Sequence, residues 1–171
     1  MLAAAFGVLL TLWVCATAAR LDRLGTRTGS ARSSLDAQLV RRTAAAQALA
    51  DHDAVTLGPV LAGRLRVACR DTLEADDAGR EFAENELGRV LGELPDGLDP
   101  DLLQDLADAA ARVALARRFY NDAVRDTRSL RSARMTRIFR LAAHRPAPAF
   151  FEIAEATPAR VRYPRAGAPA A

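Results

Sequence analysis

Leu94-Pro95-Asp96-Gly97-Leu98-Asp99-Pro100 divides the chain and decides how the rest of it is read. Pro-Asp-Gly is a turn signature. Asp99-Pro100 reads as a helix N-cap followed by the first helical residue, where the fixed φ and missing N–H of proline do no harm. A long helix is therefore expected from Pro100. Its apolar or small positions, Leu102, Leu106, Ala109, Val113, Ala116, Tyr120, Ala123 and Thr127, recur in steps of three and four, a heptad-like seam that ends near Leu130.

Towards the N-terminus the same periodicity recurs. Leu61, Leu65, Ala68, Thr72 and Leu73 form one apolar stripe, and Phe82, Leu87, Val90, Leu91 and Leu94 form its continuation. Asp76 to Gly79 interrupts that stripe, which leaves either one helix with a weak centre or two short ones. A further break is expected over residues 51–58, where Asp51-His52-Asp53 leads into Gly58-Pro59 and the proline suits the first turn of a new helix. Before it, Leu21, Leu24, Thr28, Ala31, Leu35, Leu39 and Ala46 mark another helical stripe. Gly25 and Gly29 weaken it by about 1 kcal/mol each relative to alanine, although their four-residue spacing also permits a close helix contact.

Composition agrees with an all-α chain. Half of the 171 residues are apolar, yet only nine are aromatic, and alanine makes up much of the remainder. Such a composition fills thin interfaces between close-packed helices and lacks the β-branched and aromatic residues that strands favour. The length fits one domain plus an anchor. All 24 basic residues are arginine, which we read as genomic base composition, and the net charge of +3 excludes a globally basic nucleic-acid binder.

Residues 2–19 carry no charge and would reach about 27 Å as a helix, the short limit for crossing a bilayer core. Ala16, Ala18 and Ala19 offer a signal-peptide cleavage site, but no basic residue precedes the apolar run as a signal peptide requires. Arg20, Arg23, Arg27 and Arg32 follow it instead, and the positive-inside bias places that flank in the cytoplasm. An uncleaved anchor with a cytoplasmic C-terminal domain is expected. Cys15 lies behind Leu12-Trp13-Val14, too bulky for a lipoprotein cleavage site, and Cys69 falls in an expected helix, so the two cysteines form no disulfide framework.

Two further segments carry a resemblance. Leu35-Asp36-Ala37-Gln38-Leu39-Val40-Arg41-Arg42 is similar to the Ile-Asp-Val-Gln-Leu-Lys-Arg-Arg type motif of the LemA family, matching at Asp36, Gln38, Leu39, Arg41 and Arg42. Ala116, Arg117, Tyr120, Asn121 and Val124 match its Ala-Arg-x-x-Tyr-Asn-x-x-Val run, and Phe150-Phe151-Glu152 its closing Phe-Phe-Glu. The chain resembles a divergent member, because Gln47 and Arg134-Met135 replace a family proline and Phe-Pro pair, and Ala110 an acidic residue. The resemblance implies a transmembrane helix followed by a bundle of long helices, with no defined biochemical activity. It also directs attention to Asp36, Arg41 or Arg42, Arg117 and Asn121 as an interhelical polar network. Tyr120 should pack on the seam with its hydroxyl on a polar neighbour.

No catalytic constellation is legible. Neither His52 nor His144 follows a glutamate by three residues, so a di-metal bundle site is not expected, and Asp51-His52-Asp53 reads as a solvated loop. Glu74, Asp77, Glu81 and Glu84 share a helical face and read as a solvated acidic stripe. No nucleophile elbow, cysteine–histidine pair or phosphate loop is present.

Arg125, Arg128, Arg131, Arg134, Arg137 and Arg140 recur at every third position. Steps of three advance about 300° on an α-helix, so these side chains wind round it and make no narrow face. The pattern suggests an exposed basic segment past the end of the bundle, with Ile138, Phe139 and Leu141 as apolar companions, able to rest on anionic lipid. Nucleic acid is disfavoured, since no stacking aromatics interleave with the arginines.

These readings predict a transmembrane anchor over residues 1–19, an antiparallel bundle of three or four long helices over 20–145, and a Pro/Ala-rich, mostly disordered tail over 146–171. Phe150, Phe151 and Ile153 stand out in that tail as docking residues. The expected function is a non-enzymatic scaffold or interaction module at the cell membrane, without catalytic, cofactor or metal residues. Its expected partners are the lipid bilayer through the anchor, protein partners and further copies of itself. The alternative is peripheral binding of anionic lipid or nucleic acid through residues 125–145.

Overall fold

The structure, a computed structural model, describes residues 2–132 and 147–154. These residues form four helices: α1 (Leu2–His52), α2 (Ala54–Glu74), α3 (Arg80–Leu91) and α4 (Pro100–Ser132). No strand occurs among them, as the composition requires. The expectations for Arg134, Arg137, Arg140 and their apolar companions, and for the tail beyond residue 154, lie outside the described residues.

Local chemistry sets each boundary. α1 runs unbroken for 51 residues through both of its central glycines, and a Cβ at Gly29 would meet nothing within 4 Å, so no close helix contact depends on that position. After His52, α2 begins at once but is kinked at Gly58, whose φ of 74° lies in the left-handed region open to glycine, and Pro59 restarts the helix. Residues 75–79 separate α2 from α3, so the interruption in the apolar stripe yields two helices. Ala75 leaves the helix in an extended conformation, and Asp76 Oδ1 accepts the Gly79 N–H at 2.8 Å. Gly97 turns with φ 88°, and Asp99 Oδ1 then accepts the N–H groups of Asp101 at 2.8 Å and Leu102 at 3.3 Å, which caps α4 at its proline. Asp53 Oδ2 accepts the Asp99 N–H at 2.8 Å and so ties the first break to this turn.

The described residues fall into two compact units. In the first, drawn from Met1–Asp36 and Leu115–Phe151, Thr28 and Leu35 of α1 and Ala116, Tyr120, Ala123, Val124 and Thr127 of α4 are buried, together with Phe151. In the second, drawn from Ala37–Ala114 and Glu152–Ala171, Leu49, Leu65, Leu87, Leu91 and Leu106 form a core with no exposed surface or almost none. Burying each such leucine contributes about 1.5–3 kcal/mol.

The α4 seam is buried from Leu106 through Ala109, Val113, Ala116, Tyr120 and Ala123 to Thr127, with Leu102 partly covered. Two stripe assignments are corrected. Leu73 is 58% exposed because its neighbour Thr72 takes the inward position, and Phe82 is 76% exposed because Ala83, Glu84 and Leu87 face inward on α3.

Candidate functional site

In the second unit the stripe of α1 carries a charge into the core. Leu39, Arg42, Ala46 and Leu49 follow one another at helical spacing, and all are buried. Arg42 Nη2 donates to Glu84 Oε2 at 2.5 Å and to the Glu84 carbonyl at 3.3 Å. Arg80 Nε supplies the other carboxylate oxygen, Oε1, at 3.2 Å from one turn earlier on α3. The side chains of Arg42 and Glu84 are 4% and 0% exposed. Glu84 was expected on a solvated acidic stripe. That expectation is corrected: Glu84 shares its inward face with Leu87, Gly88 and Leu91, so the α3 stripe that buries leucine buries the carboxylate too.

Beside the pair, Thr43 and Thr72 place their hydroxyl oxygens 3.1 Å apart. Thr43 is also within reach of the Leu39 carbonyl at 3.1 Å and Thr72 of the Cys69 carbonyl at 2.7 Å. Two hydroxyl protons serve three acceptors, so one of these three bonds is unmade at any moment. Cys69 Sγ lies 3.7 Å from the Thr43 carbonyl and is buried; burial, reinforced by the Asp51 and Glu84 carboxylates, pushes its thiol up to about 12. Such a thiol is inert as a nucleophile.

In the first unit the motif residues of α4 hold a segment without helix or strand. Tyr120 donates its hydroxyl to the Ala149 carbonyl at 2.8 Å, the polar neighbour expected for it. Asn121 donates Nδ2 to the Phe151 carbonyl at 3.1 Å, while its Oδ1 accepts the Phe151 N–H at 2.9 Å. One side-chain amide thus closes both backbone groups of one residue, as a neighbouring strand would. The Arg32 guanidinium lies over the Tyr120 ring at 5.7 Å and the Phe151 ring at 5.4 Å. Arg128 Nε donates to the Pro148 carbonyl at 2.8 Å, and its guanidinium sits 4.9 Å from the Phe150 ring centre. In the second unit the chain continues with the Glu152 N–H on Glu81 Oε1 at 2.9 Å and the Ala154 N–H on Asn85 Oδ1 at 2.7 Å. Phe151 and Ile153 are buried, so the two dock as their place in the tail suggested.

The polar network expected among Asp36, Arg41 or Arg42, Arg117 and Asn121 is therefore distributed otherwise. Asp36 pairs with Arg32 one turn back at 3.5 Å, Arg41 is exposed, Arg42 goes to Glu84, and Asn121 goes to the Phe151 backbone. Asp51 does not sit in a loop: it lies in the last turn of α1 and accepts from Arg66 Nε and from Gln47 Nε2, each at 2.8 Å. Those bonds, Arg66 first, hold its carboxyl below the usual carboxylate range. Among the described residues no three His, Cys, Asp or Glu side chains are gathered where a metal ion could be held.

Val60, Gly63, Val67, Ala68 and Val90 line an open cavity of about 330 Å³ on α2 and α3, with Arg64 and Glu86 also at its wall. It contains no nucleophile and no buried titratable group. At the other end of the chain, α1 is the one described helix long and apolar enough to cross a membrane, and none of its apolar window is buried. Phe6, Val8, Leu9 and Leu12 are each 60–69% exposed.

Comparison with protein-family models, with curated proteins and with solved structures gives no match.

Proposed function

We propose that this is a single-pass membrane protein of the LemA type, in which residues 2–19 span the bilayer and an antiparallel helical bundle serves as a non-enzymatic scaffold or interaction module in the cytoplasm. One observation carries the membrane part: the uncharged apolar stretch that opens α1, none of whose apolar window is buried. Exposed apolar surface of that extent marks a site of membrane or protein contact. The bundle reading is supported by contact order in the first unit, where Arg27, Thr28 and Arg32 of α1 meet Asp126, Thr127 and Tyr120 of α4. From Thr28 to Arg32 the α4 partner falls from Thr127 to Tyr120, the order of an antiparallel pair. The LemA reading is supported by the work its motif residues perform: Tyr120, Asn121 and Phe151 form one contact set, and Leu35, Leu39 and Arg42 are buried.

The scaffold part rests on the kind of chemistry gathered inside. Arg42 bonds to Glu84 and Thr43 to Thr72, with the Arg42 Nε left buried without a hydrogen-bond partner, and burial raises the Cys69 thiol towards its neutral form. Binding of anionic lipid through the arginine repeat is the weaker alternative, because Arg125 pairs with Asp122 at 2.6 Å and Arg128 is engaged by Pro148 and Phe150.

Membrane fractionation, intact mass and protease access in sealed vesicles of known orientation test the reading together. A full-length, membrane-bound chain with its bundle on the cytoplasmic side is expected. A cleaved chain, or a bundle on the outer face, overturns it.

A further inference from the structure

We propose that the α4 site holding Pro148–Phe151 is a peptide-binding site that also accepts this same segment from a second copy of the chain. The inference rests on the interaction-module reading and names its partner.

Three features of the site carry it. First, Tyr120, Asn121 and Arg128 donate to the Ala149, Phe151 and Pro148 carbonyls and Asn121 accepts the Phe151 N–H, so all four hydrogen bonds meet backbone atoms of the segment. This is how an extended peptide is held in strand addition, where backbone bonds give affinity and side-chain pockets give choice. Second, the choice is made by aromatic anchors: Phe151 is 2% exposed and faces the Arg32 guanidinium, and Phe150 faces that of Arg128. A buried aromatic beside an arginine is the usual composition of a binding hot spot. Third, the segment from Pro148 to Phe151 belongs to no helix or strand, so leaving the site breaks no regular element.

Every copy carries both the site and its ligand, which is the condition for exchange of an identical element between protomers at low cost. Fourteen residues, 133–146, separate the end of α4 from the start of the described segment. A connection that short gives the segment's own copy an effective concentration in the millimolar range. The self-bound form therefore prevails in dilute solution, and exchange grows where copies are concentrated.

Complementary variants remove that advantage. In full-length protein in detergent micelles, Phe151→Ala leaves the site intact and empties it, whereas Asn121→Ala disables the site and frees an intact segment. Donor-labelled Phe151→Ala mixed with acceptor-labelled Asn121→Ala should show energy transfer about tenfold above either variant mixed with itself, the scale set by two backbone hydrogen bonds. A synthetic peptide of residues 147–154 should abolish the excess, and the same peptide with alanine for Phe151 should not. Equal transfer in all three mixtures, with helical circular dichroism retained, overturns the proposal. So does an excess that the native peptide fails to compete. Should Phe151→Ala unfold, Phe151→Leu keeps most of the packed volume, loses the ring over Arg32, and gives the same comparison with a smaller excess. Failure here in a chain that fractionates with membranes removes segment exchange and leaves the module reading standing.

Discussion

Glu84 on α3 receives Arg42 from α1 and Arg80 from its own helix, one guanidinium on each carboxylate oxygen, with neither Arg42 nor Glu84 open to water. A buried pair is weak evidence of stability, since desolvation offsets much of the Coulomb attraction, but removing one partner strands the other charge. Glu84→Ala is expected to cost about 3–5 kcal/mol in urea denaturation, and Arg42→Ala a similar amount. The double replacement Arg42→Met with Glu84→Leu should lose far less than the sum of the single losses. Additive losses would show that the two side chains act independently.

Asn121 serves the Phe151 backbone twice, as donor and as acceptor. Asn121→Asp keeps the acceptor for the N–H and sets an anionic oxygen against the carbonyl. The variant should lose about 1–3 kcal/mol, and the Phe151 amide should exchange its hydrogen faster. Unchanged exchange would mean that Phe151 packing alone holds the segment.

Cys69 gives a test from the alkaline side. Its thiol is raised by burial to about 12, so folding favours the neutral form. That contribution is complete below the ordinary thiol range near pH 8.5 and is lost as the pH rises from there towards the folded value. In a Cys15→Ser background, maleimide labelling at pH 8 should be on the order of a hundredfold slower in the native protein than in urea. A rapid native reaction would refute the packing described around Thr43.

On the acid side, hydrogen bonds from Arg66, Arg64 and Arg89 hold the Asp51, Glu93 and Glu86 carboxyls below their usual range, and those from Thr56 and the Asp99 N–H do so for Asp53. Depressed carboxylates contribute stability that is present above the ordinary carboxylate range and is lost as the pH falls through the folded values. Thermal stability should hold level from neutral pH to about pH 5 and fall below about pH 4. Because these groups are exposed, raising the salt concentration should flatten the fall.

Much of the fold was legible in the sequence because its signals were local. Pro95-Asp96-Gly97 with Asp99-Pro100 marked a boundary, and the steps of three and four along α4 marked a face; both depend on neighbours within a turn or two. The candidate site was less legible. Glu84 read as solvated because three other acids share its spacing, yet its partners are set by Arg42, 42 residues away. The available signal was its register with Leu87 and Leu91, the same signal that places Arg42 in line with Leu39 and Ala46. Phe151 was recognisable as a docking residue, but not its surroundings, since Arg32 and Asn121 come from distant helices.

The uninterrupted course of α1 has a consequence in angle. Its uncharged stretch over residues 2–19 runs on in the same helix to the buried positions Thr28 and Leu35, which lie about 14 and 24 Å further along the axis. Which face of that stretch lies in line with Thr28 is then fixed by helical phase. One alanine inserted after Ala19 would turn residues 2–19 about 100° relative to Thr28 and lengthen the distance to the buried stripe by about 1.5 Å, whereas seven would return them to within about 20°. The linking stretch acts as a dial whose setting is counted in residues.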